Sequence, residues 1–325
     1  MHPLVSRYLQ ITTITSSRHL LGQPSEVKLT SSPWTVLGVS EFPKGKQDSG
    51  GDRLLTLLES LDDMPGTAEE MKRLRNLAPP GSQFLRDAKA TEKALLGMPA
   101  HPGVLHLGCH AFFLPGSPGT GDPVDFDENA GLLFSGGLLL HGAALRPPHA
   151  PPLSPDDDLL YPSEIAGLPL RGTRLVTLSS CESGAGTAVS GEGLLGLRRG
   201  FALAGAREVL VALWPVSDRS TPEFMERFYR LAQASDRSGQ ALWQCQREFL
   251  TAAGNDEDFE AAVLRYAPFV LSQNEPLATG PEIAIAEKTR VPWKLAWWGL
   301  PLLVFLVMRF RVARKSKQSS ALAQG

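Results

Sequence analysis

The sequence predicts an α/β protein with a mostly parallel central β-sheet. Two short apolar runs, Leu175–Leu178 and residues 209–214, have the length and composition of buried strands. A glycine-rich loop and a helical apolar pattern over residues 194–204 lie between them. A strand, a crossover helix and a second strand form a βαβ unit, which implies parallel strands joined by a right-handed crossover.

Cys181 follows the first of these runs, with only Ser179 and Ser180 in between. Chemistry in a parallel sheet occurs at the carboxyl ends of the strands. Cysteine is often simply a small buried hydrophobic residue. The polar, glycine-rich surroundings favour a nucleophile instead, provided that a base lies nearby to form the thiolate. Both interpretations remain open at this point.

A candidate base is His110, which follows a third apolar run at residues 104–107. If this run is a parallel strand beside Leu175–Leu178, His110 and Cys181 emerge at the same edge of the sheet. His106 lies inside the run and is assigned to packing. Cys109 is a rival thiol, but its side chain should point away from that of His110 because side chains alternate along extended chain.

The remaining segments have the periodicity of further strands and helices. Thr67 followed three residues later by Glu70 is typical of a capping box, which predicts a helix start there. Thr221-Pro222 predicts a second helix start. The other predictions are a strand and short helix at 7–22, a strand at 34–39, helical periodicity over 51–78, a strand and helix over 85–98, a helix at 240–252 with Cys245 on its packed face, and a strand at 266–271.

Composition limits the classes of function. A net charge of −2 argues against a general nucleic-acid binder. The three cysteines lack the spacing of a disulfide framework or a zinc site and suit a reducing compartment. His141 and His149 lie in a Pro- and Gly-rich region, 114–158, and are interpreted as solvated rather than as metal ligands. We therefore expect no metal and no cofactor.

The C-terminal region has the composition of a membrane attachment. A polar linker at 274–290 precedes an apolar segment at 291–312 and a basic and polar tail at 313–325. The uncharged part of that segment is shorter than the roughly 20 residues that cross a bilayer, so Lys294 would have to snorkel. Because no secretory signal opens the sequence, we expect a single-pass or monotopic membrane protein whose large domain lies in the cytoplasm.

The segments around the two candidate residues resemble the motifs of the CHAT domain, a caspase-like module related to caspases and separases. Gly108-Cys109-His110-Ala111 resembles the family's histidine motif, and Leu178-Ser179-Ser180-Cys181-Glu182-Ser183-Gly184 resembles its nucleophile motif. The resemblance covers roughly residues 5–273, with an amino-terminal half that is short for the family. The other matching segments are 132–143, 164–170, 191–194, 204–206 and 213–218.

The resemblance implies a caspase-like three-layer sandwich over residues 1–273 and a cysteine endopeptidase acting on a protein or peptide. It implies that His110 activates Cys181 and that the backbone amides of Ala111 and Cys181 hold the oxyanion. Asp218 stands where separases receive a basic side chain, which implies cleavage after arginine or lysine; the alternative is that Asp218 only starts the turn before Thr221-Pro222. Ala111 replaces the family's glycine. A regulatory protein partner is also expected.

The sequence is also compatible with a second class of protein and bears on a third. The second is a catalytically inactive CHAT module that acts as a membrane-tethered interaction domain, an alternative that the Ala111 replacement favours. The third is a phosphate-binding α/β protein. It is disfavoured because residues 184–189 lack the third glycine of a dinucleotide motif and the sequence contains no Gly-Lys-Ser/Thr.

Overall fold

A seven-stranded β-sheet forms the centre of the computed structural model. The structure describes residues 13–14, 28–43, 53–98, 102–113, 136–145, 156–179, 191–253 and 257–274, all within one compact unit, Met1–Ala278. The strands are β1 (Thr13–Ile14), β2 (Trp34–Gly38), β3 (Gln83–Arg86), β4 (Val104–Gly108), β5 (His110–Phe113), β6 (Gly136–Leu139), β7 (Leu159–Leu160), β8 (Leu175–Leu178), β9 (Glu208–Ala212) and β10 (Phe269–Gln273). The helices are α1 (Arg53–Glu59), α2 (Pro65–Arg75), α3 (Glu92–Leu96), α4 (Pro162–Ile165), α5 (Gly191–Ala204), α6 (Thr221–Ser235), α7 (Ser238–Ala252) and α8 (Glu257–Tyr266).

The central sheet has the strand order β1-β10-β9-β8-β4-β2-β3. Its pairings are parallel except that between β9 and β10, which is antiparallel. The predicted mostly parallel sheet is therefore confirmed. Strands β4 and β8 are direct neighbours, with Leu107 opposite Leu178. The prediction that His110 and Cys181 emerge at the same edge of the sheet depends on these two strands being neighbours.

Side chains alternate between two apolar layers on the two faces of the sheet, as strand geometry requires. On one face Val36, Val104, Leu175 and Leu210 pack against α2, α6 and α7. On the other face Leu37, Leu105, Val176 and Val211 pack against α1, α3, α4, α5 and a second, small sheet. The sheet is thus covered on both sides, which gives the three layers of the fold.

The small sheet has the order β5-β6-β7 and is antiparallel. Its central strand lies within residues 132–143, one of the segments that resemble the CHAT family. The strand β5 was not predicted, and His110 is its first residue. A two-residue strand and the glycines of β6 carry little periodicity, so this sheet arises from pairing between distant segments.

The helix start predicted at Thr67 is wrong. The helical periodicity over 51–78 resolves into α1 and α2, and α2 begins at Pro65. The Glu70 side chain does not cap the helix; it is buried, with 2% of its surface exposed. The start predicted at Thr221, with Pro222 in the first turn, is confirmed.

No helix in the described part of the chain has the length and apolar character needed to span a bilayer. The predicted membrane helix at 291–312 and the tail after it lie outside the described residues. The membrane attachment therefore stays a prediction.

Candidate active site

Helix α2 lies directly against the carboxyl ends of β2 and β4. Both strands end in glycine, and these glycines permit a close approach by the helix. A Cβ at Gly38 would collide with Met71 of α2, and one at Gly108 would lie 3.0 Å from Cγ2 of Thr67. The edge of the sheet where the candidate residues were predicted is therefore also the place where α2 begins.

His110 is buried at this edge and its ring is fixed by two contacts. Its Nε2 lies 2.8 Å from the main-chain oxygen of Asp62, and its ring centre lies 4.9 Å from that of Phe42. A carbonyl oxygen only accepts, so Nε2 carries the proton in this contact. The neutral imidazole then has its lone pair on Nδ1, a buried atom with no hydrogen-bond partner among the described residues.

Ala111 follows His110 in β5 and is buried opposite Leu138 of β6. Cys181 lies outside the described residues, and the last described residue before it is Ser179. The backbone N–H of Ser179 donates to the oxygen of Leu107 at 2.9 Å, which continues the β4–β8 ladder beyond the end of β8. The roles predicted for Ala111 and Cys181 remain predictions.

Asp218, in the loop after β9, is bound to the start of α2. Its Oδ2 accepts from the N–H of Gly66 at 2.6 Å and its Oδ1 from the N–H of Thr67 at 3.1 Å. Burial raises the pKa of Asp218, with a further rise from the charge of Glu70; the two amide hydrogen bonds and His110 oppose that rise. Asp218 thus caps a remote helix, and its substrate role stays a prediction.

A buried polar network links α2, β4, β8 and α6. Nε2 of His106 lies 3.0 Å from Oε1 of Glu70, and its Nδ1 lies 3.1 Å from the hydroxyl of Tyr229. Tyr229 donates to Oγ1 of Thr177 at 2.8 Å, and Ser179 donates to Oε2 of Glu70 at 2.8 Å. Burial raises the pKa of Tyr229. His106, predicted only to pack, also holds together these polar groups.

Sequence reasoning missed the role of Glu70, although a signal was present. Thr67, Glu70, Met71 and Leu74 share one helical face and are all buried. A carboxylate on an apolar face indicates a buried polar partner, because burying an unpaired charge is costly. The capping-box pattern predicts that Glu70 binds the backbone of its own helix. The pattern therefore did not suggest a partner for Glu70 in another element.

The two described cysteines are poor candidates for a nucleophile. Cys109 is completely buried in the apolar layer that contains α5. Cys245 is completely buried in the opposite layer, where its thiol lies 3.6 Å from the oxygen of Phe224. Burial raises the pKa of the Cys245 thiol, which disfavours the thiolate.

The fold is a mixed α/β architecture with a mostly parallel central sheet, and His110 lies just beyond one of its central strands. The family model of the CHAT domain matches residues 1–293. The chain therefore belongs to the CHAT family, whose function is related to that of caspase-like peptidases. A comparison with curated proteins finds no match.

Proposed function

We propose that the protein is a caspase-like cysteine endopeptidase that uses a dyad of His110 and Cys181. The observation that carries this proposal is the anchored imidazole of His110. Its Nε2 is bound to the oxygen of Asp62 at 2.8 Å, which reserves Nδ1 as the proton acceptor. The parallel pairing of β4 with β8 supports it, because His110 follows the first of these strands and Cys181 the second.

In this mechanism Nδ1 of His110 takes the proton of the Cys181 thiol, and the thiolate attacks the peptide carbonyl carbon. The tetrahedral intermediate collapses with rupture of the C–N bond, and the imidazolium proton passes to the leaving amine. Water then hydrolyses the thioester, which restores the thiol and releases the new carboxyl end. The backbone amides of Ala111 and Cys181 stabilise the oxyanion, each contributing about 3 kcal/mol by analogy with other enzymes.

We further propose that the enzyme cleaves after arginine or lysine, with Asp218 as the receiving carboxylate. The position of Asp218 beyond β9, the strand next to β8, supports this proposal. The side chain is only partly buried, and a carboxylate has acceptor sites beyond the two that Gly66 and Thr67 occupy. Arginine would bind in bidentate fashion, whereas lysine would bind as a point charge.

The specificity proposal is tested by the ratio of kcat/KM for matched arginine and leucine peptides. The ratio is internal to one protein sample, so partial unfolding of a variant cancels. Asp218→Asn should lower this ratio, while Asp236→Asn, at a distant helix end, should leave it unchanged. An unaltered ratio in Asp218→Asn, or a wild-type preference for acidic or apolar residues, would remove Asp218 from the substrate pocket.

Attachment to a membrane through residues 291–312 belongs to the same proposal. The support is compositional: an apolar segment carries tryptophans near its start and is followed by a cluster of basic residues. Tryptophans suit the bilayer interface and basic side chains suit anionic headgroups. The peptidase would then act on substrates close to the cytoplasmic membrane surface.

A catalytically inactive, membrane-tethered interaction module is the second candidate function. Ala111 favours it, because a methyl group replaces the hydrogen of the family's glycine where the oxyanion would bind. Such a protein would keep the fold and the buried network but would cleave nothing.

The dyad is tested by cleavage of a fluorogenic peptide library with the full-length protein. Cys181→Ala and His110→Ala should each abolish cleavage, and the double variant should lose little more because residues that act as a unit are not additive. Cys245→Ala, which removes a thiol buried in the core, is the matched control. Cleavage that survives Cys181→Ala but not Cys245→Ala or Cys109→Ala would refute the assignment.

A further inference from the structure

Ser179 is held by both its main chain and its side chain. Its N–H donates to Leu107 of β4 at 2.9 Å, and its hydroxyl donates to Oε2 of Glu70 on α2 at 2.8 Å. The residue is buried, with 3% of its surface exposed. Two elements from different layers therefore fix the chain two residues before Cys181.

The other oxygen of Glu70 faces His106. Tyr229 uses its hydrogen toward Thr177, so Nδ1 of His106 donates to the tyrosine oxygen. Nε2 of His106 lies 3.0 Å from Oε1 of Glu70. Glu70 therefore lies between His106 and Ser179, with one oxygen close to the imidazole and the other accepting from the Ser179 hydroxyl.

The same stretch of chain also reaches the other predicted site residues. The oxygen of Asp62, just ahead of α2, binds His110, and the first amides of α2 bind Asp218. Glu70 lies further along that helix and binds the end of β8 through Ser179. Residues 62–70 thus connect the base, the predicted pocket carboxylate and the strand that leads to the predicted nucleophile.

We propose that Glu70 and Ser179 are positioning residues that set the thiol-bearing segment relative to His110; this role rests on the proposed peptidase function. In this role both residues act through the main chain of β8 rather than on the reacting atoms. Their hydrogen bond fixes where β8 ends, and through it the point from which the nucleophile segment departs. Loss of this bond should alter the reactivity of Cys181 more than a comparable loss elsewhere in the fold.

The chain offers a matched control for this hydrogen bond. Ser238 is completely buried, and its hydroxyl donates to the buried carboxylate of Glu208 at 2.5 Å. Glu208 is the first residue of β9, so this second Ser–Glu pair lies at the opposite edge of the sheet. Ser179→Ala and Ser238→Ala therefore each remove a buried Ser–Glu hydrogen bond, one at the carboxyl ends of the strands and one at their amino ends.

The test measures alkylation of Cys181 by iodoacetamide in the full-length protein, followed by peptide mass analysis, together with the thermal midpoint of each variant. Both Ser→Ala variants should lower the midpoint to a similar extent. Ser179→Ala and Glu70→Gln should slow alkylation by about tenfold or more near neutral pH, since small misplacements near the chemistry cost up to about 10²-fold. Ser238→Ala should leave the alkylation rate and its pH profile unchanged.

Equal rates of Cys181 alkylation in Ser179→Ala and Ser238→Ala would overturn the positioning role. A different result would reject the proposed function itself: wild-type Cys181 that reacts with the rate and pH profile of an ordinary thiol, without any peptide cleavage. An activated Cys181 that is insensitive to Ser179→Ala would leave the dyad standing and refute only the positioning role.

Discussion

At the scale of single residues, His110 is oriented by the main-chain oxygen of Asp62, and no carboxylate among the described residues binds its ring. A carboxylate partner would stabilise the imidazolium by its charge, as in serine hydrolases. A carbonyl fixes the tautomer and the ring but offers only its dipole. This weaker support suits a thiol nucleophile, because a thiol is far more acidic than a hydroxyl and needs less help from its base.

Glu92 is a second buried carboxyl group with a consequence for pH dependence. It is 1% exposed, and one of its oxygens, Oε2, has no hydrogen-bond partner among the described residues. Burial, followed by the charges of Glu164 and Asp157, raises its pKa from 4.5 to about 7. Asp158 accepts from the N–H of Glu92 at 2.6 Å and adds a further negative charge.

The contribution of Glu92 to stability should therefore fall as the pH rises from 4.5 to about 7. In that range folded Glu92 holds a proton that the unfolded chain has released, so its contribution to the free energy of unfolding falls with increasing pH. The free energy of unfolding is measured by urea denaturation at several pH values across this range. It should fall less steeply with increasing pH in Glu92→Gln than in wild type. The control is Glu59→Gln at an exposed position. An equal dependence of the free energy of unfolding on pH in Glu92→Gln and wild type would contradict the account.

At the scale of elements, α2 shows what the sequence could and could not predict. Helical periodicity in the sequence predicted the helix itself, but not the residue at which its first turn begins. The amides of Gly66 and Thr67 are bound by a carboxylate 152 and 151 residues away. A remote cap leaves no local pattern, whereas a local Thr-x-x-Glu pattern was present and misleading.

The strands divide in the same way. Strands β2, β4, β8 and β9 are apolar runs of four or five residues, and the sequence predicted all of them. The short sheet β5-β6-β7 depends on pairing between segments far apart in the chain, so no local pattern marks it. For this reason the sequence predicted that His110 follows a central strand but not that it opens a strand of a second sheet.

Asp218→Ala should destabilise the fold through α2. Loss of a helix N-cap typically costs about 0.5–2 kcal/mol, and here two amides lose their acceptor. The measurement is the free energy of unfolding in urea. Asp218→Asn keeps one oxygen acceptor and should recover part of the loss. A variant Asp218→Ala as stable as wild type would mean that the cap contributes nothing.

At the scale of the whole molecule, the described residues form a covered sheet, whereas the sequence beyond residue 274 has the composition of a linker, an apolar segment and a basic tail. The two parts serve different tasks in the proposed function. Residues 1–273 carry the proposed dyad, and the segment after them sets where the enzyme works.

Deletion of residues 291–325 should move the protein from the membrane pellet to the soluble fraction while its circular dichroism melting curve stays close to that of wild type. The matched control lacks only residues 313–325. It should stay in the pellet, because the apolar segment rather than the basic tail supplies most of the membrane affinity. A pellet fraction unaffected by the longer deletion would contradict the membrane proposal.

The central claim, that His110 activates Cys181, is tested most directly by covalent labelling with peptide electrophiles. Full-length protein is treated with acyloxymethyl ketone peptides that end in arginine, leucine or aspartate, so that the result does not depend on the specificity proposal. The account predicts labelling at Cys181 by at least one probe, strong suppression in His110→Ala, and no change in Cys245→Ala. Cys181 that stays unlabelled by every probe when folded but reacts once the protein is denatured, or that labels equally in His110→Ala, would contradict it.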